Sequence, residues 1–447
     1  MKWPVHRLSK IATDLQPGFA RLPKGGDLVF PQLRTNNVSS VGGIDLTLVK
    51  EVPASKTECE RYSLRNSDIL FNNTNSVDLV GKTALFDLDE GFYLFSNHMT
   101  RIRVNREIAD PHFVARQLFW IWKSGGFQTM VTRWVNQAAI NKTMLGGVLI
   151  CLPALSEQHR IVEILDQADA LRKKRVAADA KAARILPALF YRMFGDPATN
   201  PKGWGVKPLA DFKAQIRYGL GQPPKTSETG VALIRATNIS RGIISAINMV
   251  YVDPQNVPPS RNAFLKKDEV LVVRSGAYTG DIAQVTKEWE GCVAGYDLVI
   301  TPGSYLTGEF VESYLLTPFI QKGYFHNLKA RAGQPHLNAA QVAATPFLEV
   351  PRDLQLQFSE AVRAIRILRK QQVTASENLQ RDFSVLLHRA FSGDLTAKWR
   401  EAHMKRLLQE MEQQAGALKI DDSPLRTVDE SKSSIDNLKS SIGDAIS

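Results

Sequence analysis

With 447 residues, 44% of them hydrophobic, the chain has enough apolar sequence for ordinary buried cores, and its length suits about three domains. Lysine and arginine outnumber aspartate and glutamate by 56 to 45, a net charge of +11 that favours polyanionic partners, nucleic acid before an anionic membrane. No uninterrupted apolar run is long enough for a membrane span, and Met1 to Leu8 lacks the apolar core of a secretory signal, so the reading excludes a membrane protein and expects a cytoplasmic one.

From Trp3 to Leu155 the text is strand and loop, with apolar runs at Asp68 to Phe71 and Thr83 to Phe86 broken by Asn, Gly and Ser. Phe113, Val114, Leu118, Phe119 and Ile121 recur at helical spacing and predict a helix over Asp110 to Val131, which makes the domain α+β. At Ser156 the character changes. Ile161, Ile164, Leu165, Ala168 and Leu171, then Ile185, Leu189 and Met193, predict a rod of roughly 57 Å at the α-helical rise. Pro187 should interrupt that rod near its end, and the segment from Gly195 to Gly203 is turn chemistry. Glu269 to Val273 and Asp297 to Ile300 then read as strands, and Glu309 to Tyr324 as a helix. A second rod starts at Leu354 and runs through Phe358, Val362, Ile365, Leu368, Val373, Leu379, Phe383 and Leu387. After Trp399 there is one amphipathic stretch, His403 to Gln414, and then a Ser, Asp and Lys-rich end to which no chemistry is assigned.

The chain repeats itself. Trp3, Val5 and Leu8 recur as Trp204, Val206 and Leu209; Arg34 and Asn37 as Arg235 and Asn238; Leu64 and Leu70 as Leu265 and Leu271, always 201 positions on. That period is far longer than a solenoid unit, so each copy is a folded domain. The reading divides the chain into two recognition domains, 1–155 and 196–351, each followed by a rod, 156–195 and 352–395, with a helical or disordered tail at 396–447. Two long rods that each carry an apolar stripe should pair as an antiparallel coiled-coil spacer.

Catalytic motifs fail on inspection. Leu79 to Thr83 resembles the end of a phosphate-binding loop, but its first glycine would fall on Ser76. Gly219-Leu-Gly221 runs into Gln222-Pro-Pro, which cannot open a nucleotide-binding helix, and Asn256-Val-Pro-Pro259 lacks the order that grips a flipped base. Cys59, Cys151 and Cys292 are too scattered for a zinc site or a disulfide framework.

Base edges are read by paired donors and acceptors, chiefly Arg to guanine and Asn or Gln to adenine. Three sets of polar loop residues offer them. The first is Arg34, Asn36 and Asn37, matched by Arg235, Thr237 and Asn238. The second is Asn72, Asn73 and Thr74, matched by Arg274 and Ser275 with Tyr278 beyond. The third precedes each rod: Arg133, Gln137, Asn141 and Lys142 in one copy; Lys329, Arg331, Gln334, His336 and Asn338 in the other. Asn and Ser also build turns, and that use stands beside the DNA reading at every one of these positions.

Leu152-Pro-Ala-Leu-Ser-Glu-Gln-His-Arg-Ile-Val162 entering a long helix, the Phe194-Gly-Asp-Pro197 junction before Gly203-Trp204, and the Phe391-Ser-Gly-Asp-Leu-Thr396 ending together resemble the specificity subunits of type I restriction-modification systems. The resemblance runs to about Trp399. The second junction, Val350 to Gln357, keeps Pro351 and Gln357 but lacks the Ser-Glu-Gln core. The resemblance implies a non-catalytic subunit whose two domains each read half of a split double-stranded DNA target. It implies docking of two methyltransferase subunits, here through Ser156, Glu157, Gln158, Arg160, Phe194 and Phe391, and of a restriction subunit. No cofactor is expected on this chain; S-adenosylmethionine, ATP and magnesium belong to the partners. An enzyme with an unrecognised motif and a basic helical scaffold are the competing readings.

Overall fold

The computed structural model describes residues 3–21, 28–88, 91–133, 137–222, 224–329 and 335–418. It divides into two compact units that are discontinuous in sequence: residues 1–174 with 377–447, and residues 175–376. Each unit therefore holds one α+β head, the start of the rod that leaves it, and the end of the rod that leaves the other head.

In the first unit a four-stranded antiparallel sheet runs in the order Ala12–Pro17, Met99–Val104, Asp68–Asn72, Thr83–Phe86. The second unit repeats that order with Gln215–Tyr218, Leu298–Thr301, Val270–Val272 and Ile282–Gln284. Side chains alternate faces along a strand, so Ile69 and Phe71 enter the core under the head helix while Leu70 enters a second core with Leu33 and Phe95. Val270, Val272 and Leu271 divide in the same way. A smaller sheet in each head contains one parallel pair, Val29–Leu33 with Leu94–Phe95 and Val231–Ile234 with Val293–Ala294. The ends of each head are joined by strand pairing, Val5–Arg7 with Leu149–Cys151 and Gly205–Pro208 with Pro346–Glu349.

Both copies also need a glycine at one close approach. A Cβ on Gly18 would meet the Ser96 carbonyl oxygen at 2.2 Å, and one on Gly219 would meet that of Gly295 at 2.2 Å. The repeat spacing narrows from 201 to 199 across the loop after the central strand, where Gly81 and Gly280 return to bond the backbone of Asn72 and Val273. The second head's loop is thus two residues shorter.

The helix predicted over Asp110 to Val131 spans Pro111–Lys123; Asp110 caps it, accepting from the backbone of His112 and Phe113, and Pro111 stands at its first turn. Gly125, at φ +76°, ends it early. Its counterpart is Gly308–Leu315, followed by a π-helical stretch at Phe319–Tyr324 and the short helix Phe325–Lys329.

The first rod is two helices, Leu155–Ala182 and Ile185–Phe194. Pro187 has no N–H for the carbonyl of Ala183 and crowds it, and the break falls at Ala183 and Arg184. The second rod, Arg352–Ser392, is continuous over 41 residues. Within the first unit the rods are antiparallel: Glu157 meets Arg400, just past the end of the second rod, while Arg172 donates to Gln380 at 3.1 Å and lies over the Phe383 ring at 4.1 Å. Ile161 and Leu165 share a core there with Phe383, Leu387 and Phe391. In the second unit Phe190 and Phe194 pack against Phe358 and Phe310, with ring centroids 4.9 to 6.0 Å apart.

The amphipathic stretch expected at His403 to Gln414 is helical, and the described part of the tail extends to residue 418. Helices Ala397–Ala402 and Met404–Ala417 belong to the first unit, where Gln414 donates to the Ile108 carbonyl at 2.7 Å and Glu410 accepts the Ser156 backbone N–H at 3.0 Å.

Candidate nucleic-acid interface

The three loop sets converge at one end of the central strand in each head. In the first head Asn72 Nδ2 donates to the Thr35 carbonyl at 3.1 Å, which ties the first set to the second. Thr74 and Asn75 then pair with Ala138 and Ala139, which in turn pair with Thr132 and Arg133, bringing the third set alongside. In the second head the Gly295 backbone N–H donates to the Ile234 carbonyl beside Arg235, and that of Leu337 to the Arg274 carbonyl.

Several predicted readers are corrected by this geometry. Asn37 is buried and fully engaged: its Oδ1 accepts the Arg34 N–H at 2.9 Å and its Nδ2 donates to the carbonyls of Asp45 and Leu48 at 2.7 and 2.9 Å. Asn238 does the same with Arg235, Ser245 and Ile247. These two are turn builders, repeated because the turn is repeated. Asn72 is wholly buried, and Asn73 donates to the Asn97 carbonyl and Thr100 Oγ1 while accepting from Thr74 Oγ1. Both amides are buried, Asn73 with its hydrogen bonds made inside the head and Asn72 with its Nδ2 on the Thr35 carbonyl, so neither is presented to a base edge. Asn141 and Asn338 cap the helices Lys142–Gly146 and Ala339–Ala343.

What remains at the surface of the first head is Arg34, Asn36, Arg133, Gln137 and Lys142, with Thr74 half-buried. Asn97 and His98 are exposed beside them and were missed, because only the pairing of sheet strands brings that turn next to Asn73. In the second head Thr237 and Tyr278 are exposed, and Arg235 donates to the Asn248 carbonyl at 2.7 Å. Ser275 bridges to His336. Arg331, Gln334 and the side chain of Lys329 lie outside the described residues.

Arg274 is the most constructed of these groups. Its guanidinium lies over the rings of Tyr218 and Tyr296, 4.6 and 4.3 Å from their centroids, and its Nη2 is 3.0 Å from His336 Nε2. Its backbone N–H donates to Asp297 Oδ1 at 3.2 Å. Burial pushes the Asp297 carboxyl up to about 6, against the opposing pull of that N–H and of the arginine charge. Neither tyrosine was singled out from sequence, since Tyr218 ends the strand Gln215–Tyr218 and Tyr296 lies in the bend before Leu298–Thr301, remote from it in the chain.

The expected docking residues at the rod junction are corrected as well. Glu157 accepts from Thr396 Oγ1 at 2.6 Å, Arg400 Nε at 2.8 Å and Trp3 Nε1 at 3.2 Å. Gln158 is fully buried and bridges the Asp110 N–H to the carbonyls of Ile108 and Pro153. Ser156 is half-buried under Glu410, and Phe194 and Phe391 are core residues. The Ser-Glu-Gln phrase is thus an internal clasp; Arg160, paired with Glu163 at 2.6 Å, is the one member of the set left exposed. In the second unit Gln355, rather than Gln357, makes the matching bridge, from the Thr307 N–H to the carbonyls of Tyr305 and Val350.

Residues 26–178 match the family described as the type I restriction modification DNA specificity domain. Over those residues the chain is similar to that family. Its curated relatives include the MjaX type I restriction enzyme specificity subunit of Methanocaldococcus jannaschii, 30% identical over 238 residues, 50% of this chain and 56% of the relative. The EcoKI specificity subunit of Escherichia coli K12 is 25% identical over 211 residues, 43% of this chain and 45% of the relative. The chain spans about half the length of the curated relatives it matches. The fold is similar to that of the S subunit of a type I restriction-modification system from M. genitalium, at a TM-score of 0.53 and 14% identity over 88% of this chain and 96% of that one. A chain from a structural study of complex assembly in the type I restriction-modification system gives a TM-score of 0.53 at 18% identity, over 88% of this chain and 98% of that one. Among the described residues no helix is long and apolar enough to cross a membrane, and no cluster of His, Cys, Asp or Glu is placed to hold a metal.

Proposed function

We propose that this chain is the DNA-specificity subunit of a type I restriction-modification assembly, reading a bipartite duplex target and leaving the chemistry to its partners. The observation that carries the reading is the pair of heads with one sheet order and unlike side chains at the same converging loops. A shared frame with different letters is what two readers of different half-sites require.

In this reading residues 1–155 and 196–351 are the two recognition domains. Arg34, Asn36, Thr74, Arg133, Gln137 and Lys142 face one half-site, and Arg235, Thr237, Arg274, Ser275, Tyr278 and His336 the other. The rods at 156–195 and 352–395 fix the unread gap, and residues 396–418 clasp the first unit. Two methyltransferase subunits dock on the assembly and bring S-adenosylmethionine; a restriction subunit that uses ATP and magnesium joins them. The complex works in the cytoplasm, and this chain binds no cofactor. Sequencing the methylated bases of the source cell with and without this gene tests the proposal. Loss of one two-part motif on deletion is the expected result, and an unchanged methylation pattern overturns it.

A further inference from the structure

We infer that Arg274 reads a guanine in one half-site, and that the first head has no counterpart to it. This rests on the proposed role of the chain as a DNA reader and adds a base identity to one of its heads. The two tyrosine rings against the guanidinium and the contact of its Nη2 with His336 limit its orientation before any ligand arrives, so less rotamer freedom is left to lose on binding. Its Nε is buried and its Nη2 is tied to His336, while Nη1 has no partner among the described residues. One Nη2 N–H and both Nη1 N–H groups therefore remain as a planar donor fork, the geometry that matches guanine O6 and N7.

The charge is also uncommitted. Asp297, the acid beside it, takes the backbone N–H, and no carboxylate forms an ion pair with Arg274 among the described residues. Arg217 in the same head shows the alternative, an arginine held at 2.6 and 2.7 Å by both oxygens of buried Glu269. Tyr218 and Tyr296, the two rings beside Arg274, are 39 and 47% exposed, aromatic surface open to a ligand. At the repeat-equivalent place in the first head stands Asn73, buried and bonded to Asn97 and Thr100, with Pro17 and Asn97 where the two tyrosines would be. The arginine slot belongs to one head only.

The test is selection from a duplex pool of random sequence, made with the full chain together with the methyltransferase subunits that purify with it. The wild type should enrich a two-part motif containing a strongly preferred guanine. Arg274→Gln should lower that one preference roughly tenfold or more, leaving the other positions of both half-sites intact, and Arg274→Lys should keep a weakened preference. Tyr296→Leu, at an exposed ring, should weaken the same guanine several-fold, and it decides the matter if the arginine variants fail to fold. An unchanged motif in the variants, or an equal loss at every position as a phosphate contact would give, overturns the inference. A wild type that enriches no two-part motif overturns the proposed function, and this inference with it.

Discussion

Asp169 on the first rod and Arg366 on the second occupy equivalent positions, each eleven residues beyond the glutamine that bridges its rod to its head, and they carry opposite charge. Asp169 and its neighbour Asp166 accept from Arg116 of the first head helix at 3.2 and 3.0 Å. In the second unit the polarity is reversed: Arg366 binds buried Glu312, and Arg363 reaches Glu309 at 3.2 Å. A first-type head placed on the second rod would thus set Arg116 against Arg363 and Arg366.

The reversal predicts that the heads are keyed to their rods. Arg366→Glu alone leaves Glu312 buried against a like charge and should cost about 3 kcal/mol or more; adding Glu312→Arg should recover much of it. A chain carrying the first head in both places should lose thermal stability and regain it with Arg363→Asp and Arg366→Asp. Equal unfolding midpoints for the chimera with and without those two changes would remove the key.

The Glu157 clasp predicts a local effect. Glu157→Ala strands the mostly buried Arg400 without its partner and should cost about 3 kcal/mol or more. Limited proteolysis should then cut within 396–418 well before either head, whereas the wild type resists.

Asp297 gives a pH dependence with a defined sign. Its carboxyl titrates near 6 when folded, above its ordinary 3.8, so the folded state holds the proton more tightly than the unfolded one. Its contribution favours the fold at low pH and fades as pH rises from about 4 to about 6, a change of at most about 3 kcal/mol. Asp297→Asn keeps an acceptor for the Arg274 N–H and should raise the unfolding midpoint at pH 7.5 while leaving it nearly unchanged at pH 4. A variant that destabilises the chain equally at both values contradicts the assignment.

The rods predict a ruler. Lengthening the first rod by one helical turn between Arg172 and Ala182 should alter the gap tolerated between half-sites while the bases of each half-site stay the same, as read by the duplex-pool selection. Altered half-site bases would contradict the spacer role.

The frame was legible in sequence because apolar alternation and a constant spacing of 201 are local, additive signals; the central strand at Asp68–Asn72 and the proline break near the first rod's end follow from them directly. The site was less so. Asn37 and Asn238 recur because they hold a turn, and recurrence alone does not separate a turn builder from a reader. The Ser-Glu-Gln phrase has the polarity of a docking surface, yet Trp3, Thr396 and Arg400, remote in sequence, close over Glu157. The aromatic rings beside Arg274 come from a strand end, Tyr218, and a remote bend, Tyr296, which no local pattern brings together.

Under the proposed function the two heads read two half-sites independently. Exchanging residues 1–155 for the corresponding domain of a relative with a different target, and sequencing the methylated motif made by the resulting complex, tests it most directly. The expected motif has one half-site replaced while the other half-site and the gap are retained. A motif altered in both half-sites would contradict it.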